Sequence, residues 1–261
     1  MLDLAIIGSG PAAFSAAIYV ARAGFSVKIF EKAAVGGAIN EIVKLENYPG
    51  FVGTGAELAQ NLKSQAKKWG VEIEYEEITS LDDIKARAIL VATGSEPRPL
   101  DFEVNVPVSY CALCDAPLYK GKNIAVVGGG NSAVSEAIYL AGLVDSLTLF
   151  SHSKLKAEAC LVKQLSALKN VTIYENIEIN AAKLDDFAAV FVFIGKRPAT
   201  SFLPKEILDQ DGYIKTKGYA TAISGLFAAG DVRSGSIKQA IVAAGDGAAA
   251  AIEIIDFLRE M

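Results

Sequence analysis

Two segments of the chain share one pattern, in which a short apolar strand runs into a glycine-rich turn and then a helix of small residues. The first reads "DLAIIGSGPAA" at residues 3–13 and is followed by a second strand, "SVKIFE", at 26–31. The other reads "NIAVVGGGNSA" at 123–133 and is followed by "SLTLF" at 146–150. Such βαβ units form parallel sheets with right-handed crossovers. The repeat therefore predicts an α/β fold with two Rossmann-like dinucleotide-binding domains of the three-layer ββα type.

The elements outside these segments place the second domain inside the first. They are predicted at 54–69 (helix), 88–94, 171–174, 189–195 and 225–231 (strands), and Ser236 to Glu260 (a long Ala-rich helix). Polar or proline-containing connectors at 103–107 and 217–224 mark the crossings between domains. We therefore expect one domain made of residues 1–106 plus 222–261 and an inserted domain of residues 107–221.

Each small residue of the first turn has a role in holding a dinucleotide. Gly8 allows the tight turn, Gly10 lets a pyrophosphate approach the backbone, and Ala13 leaves room for helix–strand packing. The N-terminus of the helix then faces the phosphates. Glu31 ends the second strand, where a carboxylate can bind a ribose hydroxyl. A dinucleotide site is the favoured interpretation, and an ordinary tight βα turn is the alternative.

The second turn has the same layout, with Gly128, Gly130 and Ala133. Its second strand ends at Phe150 and Ser151, where no acid is present to bind a ribose. The pattern predicts a second dinucleotide without specifying which one. The alternative is a vestigial fold that binds no nucleotide well.

Two thiols, Cys111 and Cys114, lie in "SYCALCD" at residues 109–115. A structural zinc site would need two further ligands, and only Cys160 and His152 remain. A structural disulfide that closes so small a loop would add little stability. A redox pair fits better, because a helical turn that starts near Cys111 makes one thiol a better nucleophile, and Asp115 can shuttle a proton.

Two other residues of this kind have ordinary interpretations. Cys160 lies among apolar residues at helical spacing, so we expect a core thiol. His152, the only histidine, is either an exposed polar residue or a phosphate contact.

Composition excludes several classes of protein. The 261 residues are 52% hydrophobic with a net charge of −5 and no basic stripe, which argues against nucleic-acid binding. No apolar run reaches the length of a membrane span, and the residues at the first strand show no basic region or cleavage site, so we expect no signal peptide. Three cysteines without a signal sequence indicate a reducing cytoplasm.

Further motifs resemble one family over nearly the whole chain. They are "AAIYVARAG" (16–24), "ENYPGF" (46–51), "ILVATGSEPR" (89–98), "VVGGGNSAVSEAIYL" (126–140), "FVFIGKRP" (191–198), "GLFAAGDVR" (225–233) and "KQAIVAAGDGAAAA" (238–251). Together with "GSGPAA" and "SYCALCD", they resemble the low-molecular-weight thioredoxin reductases, which are class II pyridine nucleotide-disulfide oxidoreductases with FAD and a redox Cys-x-x-C.

The resemblance implies that FAD is bound by the first and last segments of the chain. Ser9 to Ala12 would bind the pyrophosphate, Glu31 the adenosine ribose, Asp231 a ribityl hydroxyl, and Lys238 to Ala240 the pyrimidine edge of the flavin. The full set of implied FAD residues is Gly8, Ser9, Gly10, Pro11, Ala12, Glu31, Gly36, Gly37, Ala38, Ile39, Asn47, Ile78, Thr93, Gly94, Gly230, Asp231, Lys238, Gln239 and Ala240.

The resemblance also implies the roles of the inserted domain. Cys114 would face the flavin, Cys111 would attack the disulfide of the partner, and Asp115 would be the general acid. Residues implied at a second nucleotide, NADPH or NADH, are Gly128, Gly130, Asn131, Ser132, Ala133, His152 and Lys156. No metal is implied.

The chain departs from the family pattern in three respects. Ser151, His152 and Ser153 replace an expected His-Arg-Arg, and Lys156 replaces a later arginine, so that NADPH and NADH both stay open. The chain is shorter at 69–89 and 171–190, where we expect the sheet faces to be covered differently, with a dimer partner as one candidate. Ala38 and Lys238 replace residues common in the family, Gln and Arg, and would alter the surroundings of the flavin.

The leading hypothesis is a cytoplasmic, homodimeric flavin-dependent thioredoxin-disulfide reductase. One domain would rotate against the other during its cycle, since FAD and thiols lie in different domains. A related enzyme with another electron route, ferredoxin-dependent or a dithiol oxidase, is the alternative, and a flavin-holding scaffold or redox sensor is the third. Glutathione-reductase-like enzymes are excluded, because no cysteine precedes Cys111 and no histidine follows His152.

Overall fold

The computed structural model describes residues 1–42 and 45–260, in which the chain forms two compact units. The first unit consists of residues 1–96 and 197–261, and the second of residues 97–196. The strands are β1 Leu2–Ile7, β2 Val27–Phe30, β3 Leu45–Tyr48, β4 Phe51–Gly53, β5 Glu72–Glu74, β6 Ala86–Val91, β7 Ser95–Pro97, β8 Val108–Ser109, β9 Asn123–Val127, β10 Ser146–Phe150, β11 Val171–Tyr174, β12 Val190–Val192, β13 Lys196–Pro198 and β14 Leu226–Ala228. The helices are α1 Pro11–Arg22, α2 Gly55–Lys67, α3 Ala112–Asp115, α4 Asn131–Ala141, α5 Ala159–Ser166, α6 Ala181–Leu184 and α7 Ala240–Glu260.

The first unit is built on a parallel five-stranded sheet in the order β14-β6-β1-β2-β5. Its central strand β1 is buried from Leu4 to Ile7, as expected for a parallel strand that is covered on both faces. Helices α1 and α7 pack against each other through small side chains, including Ala13, Ala16 and Ala250. Because these side chains are small, the two backbones approach closely beneath the first glycine turn.

The other face of this sheet is covered by irregular segments of the same chain. Ile78 and the residues Leu203, Ile207 and Ile214 form a buried cluster with Val91 of the sheet. Ile214 also makes single β-bridges to Leu208 and Arg233. In the described part of the first unit, this face is therefore covered by segments of the chain itself.

This packing also explains where the compact units end. Leu203 to Ile214 belong to the first unit, whereas the sequence predicted that the inserted domain continues to residue 221. The chain passes between the units at Ser95–Pro97 and Lys196–Pro198, which pair as a two-stranded sheet. These compact units are defined by packing, whereas the predicted domains, 1–106 plus 222–261 and 107–221, are defined by the nucleotide that each would bind. The boundaries of the predicted domains therefore stay a prediction.

The second unit repeats the architecture with a parallel sheet in the order β11-β10-β9-β12-β8. Ile124 and Val126 of β9 contact the helical side, where Val134 and Leu140 of α4 are buried. Ala125 and Val127 face the opposite cluster, which residues 100–110 and 177–187 cover in part. The prediction of two Rossmann-like units, the second inserted into the first, is confirmed.

Most predicted elements lie where the sequence placed them, and β9, β10 and β11 have the predicted bounds. Helix α7 is shorter than predicted, because it begins at Ala240 and not at Ser236. In the preceding segment the Gln239 N–H bonds the carbonyl of Ile237, only two residues earlier, which is not α-helical geometry. Across residues 1–42 and 45–260, no helix has the length and apolar character needed to span a bilayer.

Candidate functional site

The first glycine turn, Gly8 to Gly10, has the geometry that a pyrophosphate requires. Gly8 has φ +98°, and a Cβ there would lie 2.5 Å from the carbonyl oxygen of Ala92, so a side chain does not fit. Gly10 has open space instead, since an added Cβ would meet nothing closer than the carbonyl oxygen of Gly36 at 4.0 Å. Gly10 also precedes α1 without a side-chain cap, which leaves the N-terminus of this helix available to phosphate oxygens.

Glu31 and Ser9 form a buried network next to this turn. Glu31 is 8% exposed at the end of β2, and its carboxylate accepts hydrogen bonds from the Ser9 hydroxyl and from the Ala33 N–H at 2.8 Å. The Ser9 oxygen in turn accepts from the Gly36 N–H at 3.1 Å. The network fixes the carboxylate predicted to bind the ribose, and it joins the glycine turn to the next predicted segment.

That segment, Gly36 to Ile39, lies directly against the first turn. Gly36 and Gly37 have positive φ angles of +115° and +57°, and a Cβ at Gly37 would meet Cα of Gly10 at 4.0 Å. Gly37 begins the short 3-10 helix Gly37–Glu41, which contains Ala38 and Ile39. The structure thus brings together two motifs that lie more than 20 residues apart in the sequence.

The remaining predicted FAD residues also belong to the first unit. Asn47 in β3 donates a hydrogen bond of 3.2 Å from Nδ2 to Oε1 of Gln239, so these two predicted flavin contacts meet. Lys238 Nζ contacts the hydroxyl of Tyr213 and lies 4.2 Å from the centroid of its ring. Of the rest, Thr93 and Gly94 follow β6, Gly230 and Asp231 follow β14, Ala240 opens α7, and Ile78 is buried against the sheet.

An ion pair lies next to Glu31 in the sequence. Lys32 Nζ donates a hydrogen bond of 2.8 Å to Glu96, and this bond raises the pKa of Lys32 above its usual value. The same bond lowers the pKa of Glu96. The ion pair therefore stabilises the charged forms of both side chains.

These features fit FAD. The first unit offers an uncapped helix, an open glycine for the pyrophosphate and a buried carboxylate at the end of β2. The hydrogen-bonded side chains of Asn47 and Gln239 offer polar groups for the edge of the flavin ring.

The second glycine turn keeps the backbone geometry of a nucleotide site. Gly128 has φ +146°, and α4 starts after Gly130 without a side-chain cap. The loop after β10 lies against this turn, because the Lys156 N–H donates a hydrogen bond of 2.7 Å to the carbonyl of Gly129. The side chains of His152 and Lys156 are exposed.

A carboxylate also lies at the start of α4. Glu158 Oε1 accepts a hydrogen bond of 3.1 Å from Asn131 Nδ2, and the Glu158 N–H donates to Asn131 Oδ1 at 2.8 Å. Ser132 is exposed and Ala133 is buried beneath the turn. A negative charge near the N-terminus of this helix disfavours an anionic ligand there.

The two thiols of the second unit form a disulfide. Cys111 precedes the short helix α3, and the N–H of Cys114 donates a hydrogen bond of 3.2 Å to Sγ of Cys111. Cys114 is exposed, whereas Cys111 is half-buried. The bond from Cys114 N–H to the sulfur would stabilise a thiolate at Cys111 after reduction. Which thiol attacks the partner stays a prediction.

Asp115 ends α3, and one serine connects it to Cys111. The Ser109 hydroxyl lies 2.6 Å from Asp115 Oδ2, and its oxygen accepts a hydrogen bond of 3.2 Å from the Cys111 N–H. Sequence reasoning missed Ser109. The only signal was its position two residues before the first thiol.

The prediction for Cys160 is wrong, because this free thiol is exposed. Helix α5 begins at Ala159, so Cys160 lies in its first turn, and Leu165 is the buried side chain of this helix. Sγ of Cys160 lies 3.8 Å from the carboxylate of Glu158.

Residues 2–247 match the family described as pyridine nucleotide-disulphide oxidoreductase. The chain is 34% identical over 308 aligned residues to the thioredoxin reductase of Bacillus subtilis (strain 168), which covers 99% of this chain and 95% of the relative. It also resembles the crystal structure of Lactococcus lactis thioredoxin reductase (FR conformation), with a TM-score of 0.92, 31% identity and 100% of both chains covered.

One similar solved structure is of a thioredoxin reductase whose name includes ferredoxin. The ferredoxin-flavin thioredoxin reductase from Clostridium acetobutylicum matches with a TM-score of 0.56 and 29% identity, over 99% of this chain and 98% of that one.

The family match, the Bacillus subtilis relative and the Lactococcus lactis structure agree. The chain belongs to the pyridine nucleotide-disulphide oxidoreductase family and, within it, to the low-molecular-weight thioredoxin reductases, which makes it a FAD-dependent disulfide oxidoreductase.

Proposed function

We propose that this enzyme reduces the disulfide of thioredoxin, or of a similar small redox protein, through Cys111 and Cys114. The observation that carries the proposal is the disulfide itself, with Cys114 exposed to solvent and Asp115 in the same short helix. The relative from Bacillus subtilis is named a thioredoxin reductase.

The exchange proceeds in two steps that balance. The Cys111 thiolate attacks one sulfur of the partner's disulfide, and the departing sulfur takes the bonding electrons and a proton, for which Asp115 is the proposed donor. Cys114 then loses its proton, its thiolate attacks the Cys111 sulfur, and the second sulfur of the partner leaves with the bonding electrons and takes up that proton. The partner gains two electrons and two protons, and the disulfide between Cys111 and Cys114 forms again.

We propose that Gly8 to Ala12, Glu31, Gly36 to Ile39 and the residues near Gln239 bind FAD in the first unit. Bound there, FAD supplies a two-electron carrier between an electron donor and the disulfide. The proposed cycle includes a rotation of one unit against the other, since the FAD residues and the thiols belong to different units. The proposed setting is the cytoplasm, with a homodimer as the assembly.

The proposed donor is NADPH or NADH, bound at Gly128, Gly130, Asn131, Ser132 and Ala133, with His152 and Lys156 nearby. The positive φ of Gly128 and the uncapped start of α4 support a nucleotide at this turn.

A second candidate is a protein donor such as reduced ferredoxin. Residues 151–158 contain no arginine, and Glu158 brings a carboxylate to Asn131 at the start of α4. Both features weaken recognition of a phosphate group. The relative described as a ferredoxin-flavin thioredoxin reductase supports the same candidate.

Anaerobic stopped-flow mixing of the purified holoenzyme with NADPH, NADH and reduced ferredoxin distinguishes the donors. Bleaching of the flavin absorbance within seconds by either nucleotide supports the nucleotide proposal. Bleaching by ferredoxin alone supports the second candidate. A reduced enzyme that leaves oxidised thioredoxin untouched would contradict the proposed partner, whatever the donor.

A further inference from the structure

We propose that Ser109 is a positioning residue for the exchange reaction: its hydroxyl holds the Asp115 carboxyl group beside Cys111, so that the carboxyl can protonate the departing sulfur. The proposal rests on the proposed function, in which Asp115 is the general acid. It concerns two side chains and one backbone N–H within a single unit.

The distances decide where the single hydrogen of this hydroxyl points. Ser109 Oγ lies 2.6 Å from Asp115 Oδ2 and 3.3 Å from the carbonyl oxygen of Cys111. The shorter contact has the length of a hydrogen bond from a hydroxyl to a carboxylate, which is the stronger kind. The hydroxyl therefore donates to Asp115, while its oxygen accepts from the Cys111 N–H at 3.2 Å.

Ser109 is itself held rigidly. It is 5% exposed, and its strand β8 pairs with β12, where Ser109 lies opposite Phe191. A second tie closes the turn, because the Asp115 N–H donates a hydrogen bond of 3.2 Å to the carbonyl of Cys111. The sheet therefore fixes the serine, and the serine fixes both the first thiol's backbone and the acid.

The arrangement assigns different roles to the two carboxyl oxygens. Oδ2 accepts from Ser109, and within the described part of the chain no hydrogen bond reaches Oδ1. Oδ1 is therefore the oxygen that can carry a proton to a departing sulfur. Without the serine hydroxyl, the carboxyl group would rotate freely about its side-chain bonds, and the fraction of time spent in a productive orientation would fall.

The test uses two small disulfides that differ in their need for an acid. The leaving group of DTNB, an aromatic disulfide, is a stable thiolate that departs without a proton, whereas bis(hydroxyethyl) disulfide releases a basic alkyl thiolate. Wild type, Ser109→Ala and Ser109→Thr are reduced with dithiothreitol, desalted anaerobically and mixed with each probe in single turnover. Thiol release is measured by absorbance for DTNB and by quenching with iodoacetamide and mass spectrometry for the alkyl disulfide.

We expect Ser109→Ala to slow the alkyl disulfide reaction about tenfold and the DTNB reaction by less than about twofold. Ser109→Thr, which keeps the hydroxyl, should restore the alkyl rate to within about threefold of wild type. Asp115→Asn should show the same selective loss, and adding Ser109→Ala to it should slow the reaction no further, since the two groups act as one unit. Thermal unfolding of each variant checks that the fold survives.

Equal slowing of both probes by Ser109→Ala would show a merely structural role and would overturn the proposal, as would unchanged rates with both. Because each comparison is made within one protein preparation, a modest loss of stability cannot produce a selective effect. A wild type that reacts with bis(hydroxyethyl) disulfide but not with thioredoxin would contradict the proposed partner and leave the assignment of Ser109 intact.

Discussion

Among single side chains, Glu31 makes the most specific prediction about the FAD site. Its buried carboxylate accepts from both the Ser9 hydroxyl and the Ala33 N–H. In Glu31→Gln one of the two oxygens becomes an NH₂ donor, so the side chain can no longer accept from both groups, and the network must rearrange at a cost of about 1–2 kcal/mol. We expect FAD to bind about tenfold more weakly, measured by titrating the apoprotein with FAD and following flavin fluorescence.

Glu72→Gln is the matched control for this substitution. Glu72 lies in β5 of the same sheet, but its side chain is 74% exposed and contacts Lys28 at 3.5 Å. We expect its effect on FAD affinity to stay within about twofold, because exposed ion pairs contribute little. Equal affinities of Glu31→Gln and wild type would contradict the role assigned to Glu31.

The sequence predicted Glu31 but not Ser109, for a physical reason. Glu31 follows from a local pattern, since a strand, a glycine turn, a helix and a second strand place its end residue beside the turn. The contact between Ser109 and Asp115 depends on the pairing of β8 with Val190 and Phe191, about 80 residues away. A pattern within seven residues cannot show that pairing.

Among the helices, α1 and α7 offer a test of close packing through two glycines of α7. A Cβ at Gly247 would lie 1.9 Å from the carbonyl oxygen of Ala12, whereas nothing lies within 4 Å of one at Gly245. Gly247→Ala should force α7 away from α1 and lower the free energy of unfolding by about 3 kcal/mol. Gly245→Ala should raise it by about 0.5–1 kcal/mol, because alanine favours the helix.

Chemical denaturation of the two variants, followed by circular dichroism, measures this difference. Because Ala12 is among the residues proposed to bind the pyrophosphate, Gly247→Ala should also weaken FAD binding. If both variants were equally stable, the claim that α1 and α7 pack closely at Gly247 would be contradicted.

The sequence predicted the element types well where the hydrophobic period was strong, as in β9 and β10. It misjudged the start of α7, because an Ala-rich pattern does not show where the backbone first bonds four residues back. It also misjudged Cys160, whose apolar neighbours suggested a buried position. Ala159 and Cys160 at the start of α5 are exposed, and the burial of a helix face depends on what packs against it.

For the whole molecule, the repeated glycine turns predicted two units, and the elements and connectors around them predicted that the second is inserted into the first. They were not sufficient to predict how the second sheet face of the first unit is covered. Ile78, Leu203 and Ile207 reach it from segments that are distant in sequence and have no regular period. Such coverage is decided by long-range packing, which one sequence does not show.

The central claim is that a flavin bound by the first unit exchanges electrons with the disulfide of the second. An anaerobic titration of the holoenzyme with dithionite measures this most directly, with Cys111→Ser/Cys114→Ser as the matched control. We expect the wild type to take up about four electrons per FAD, two for the ring and two for the disulfide, and the variant about two. A wild type that takes up only about two electrons per FAD, like the variant, would contradict the account.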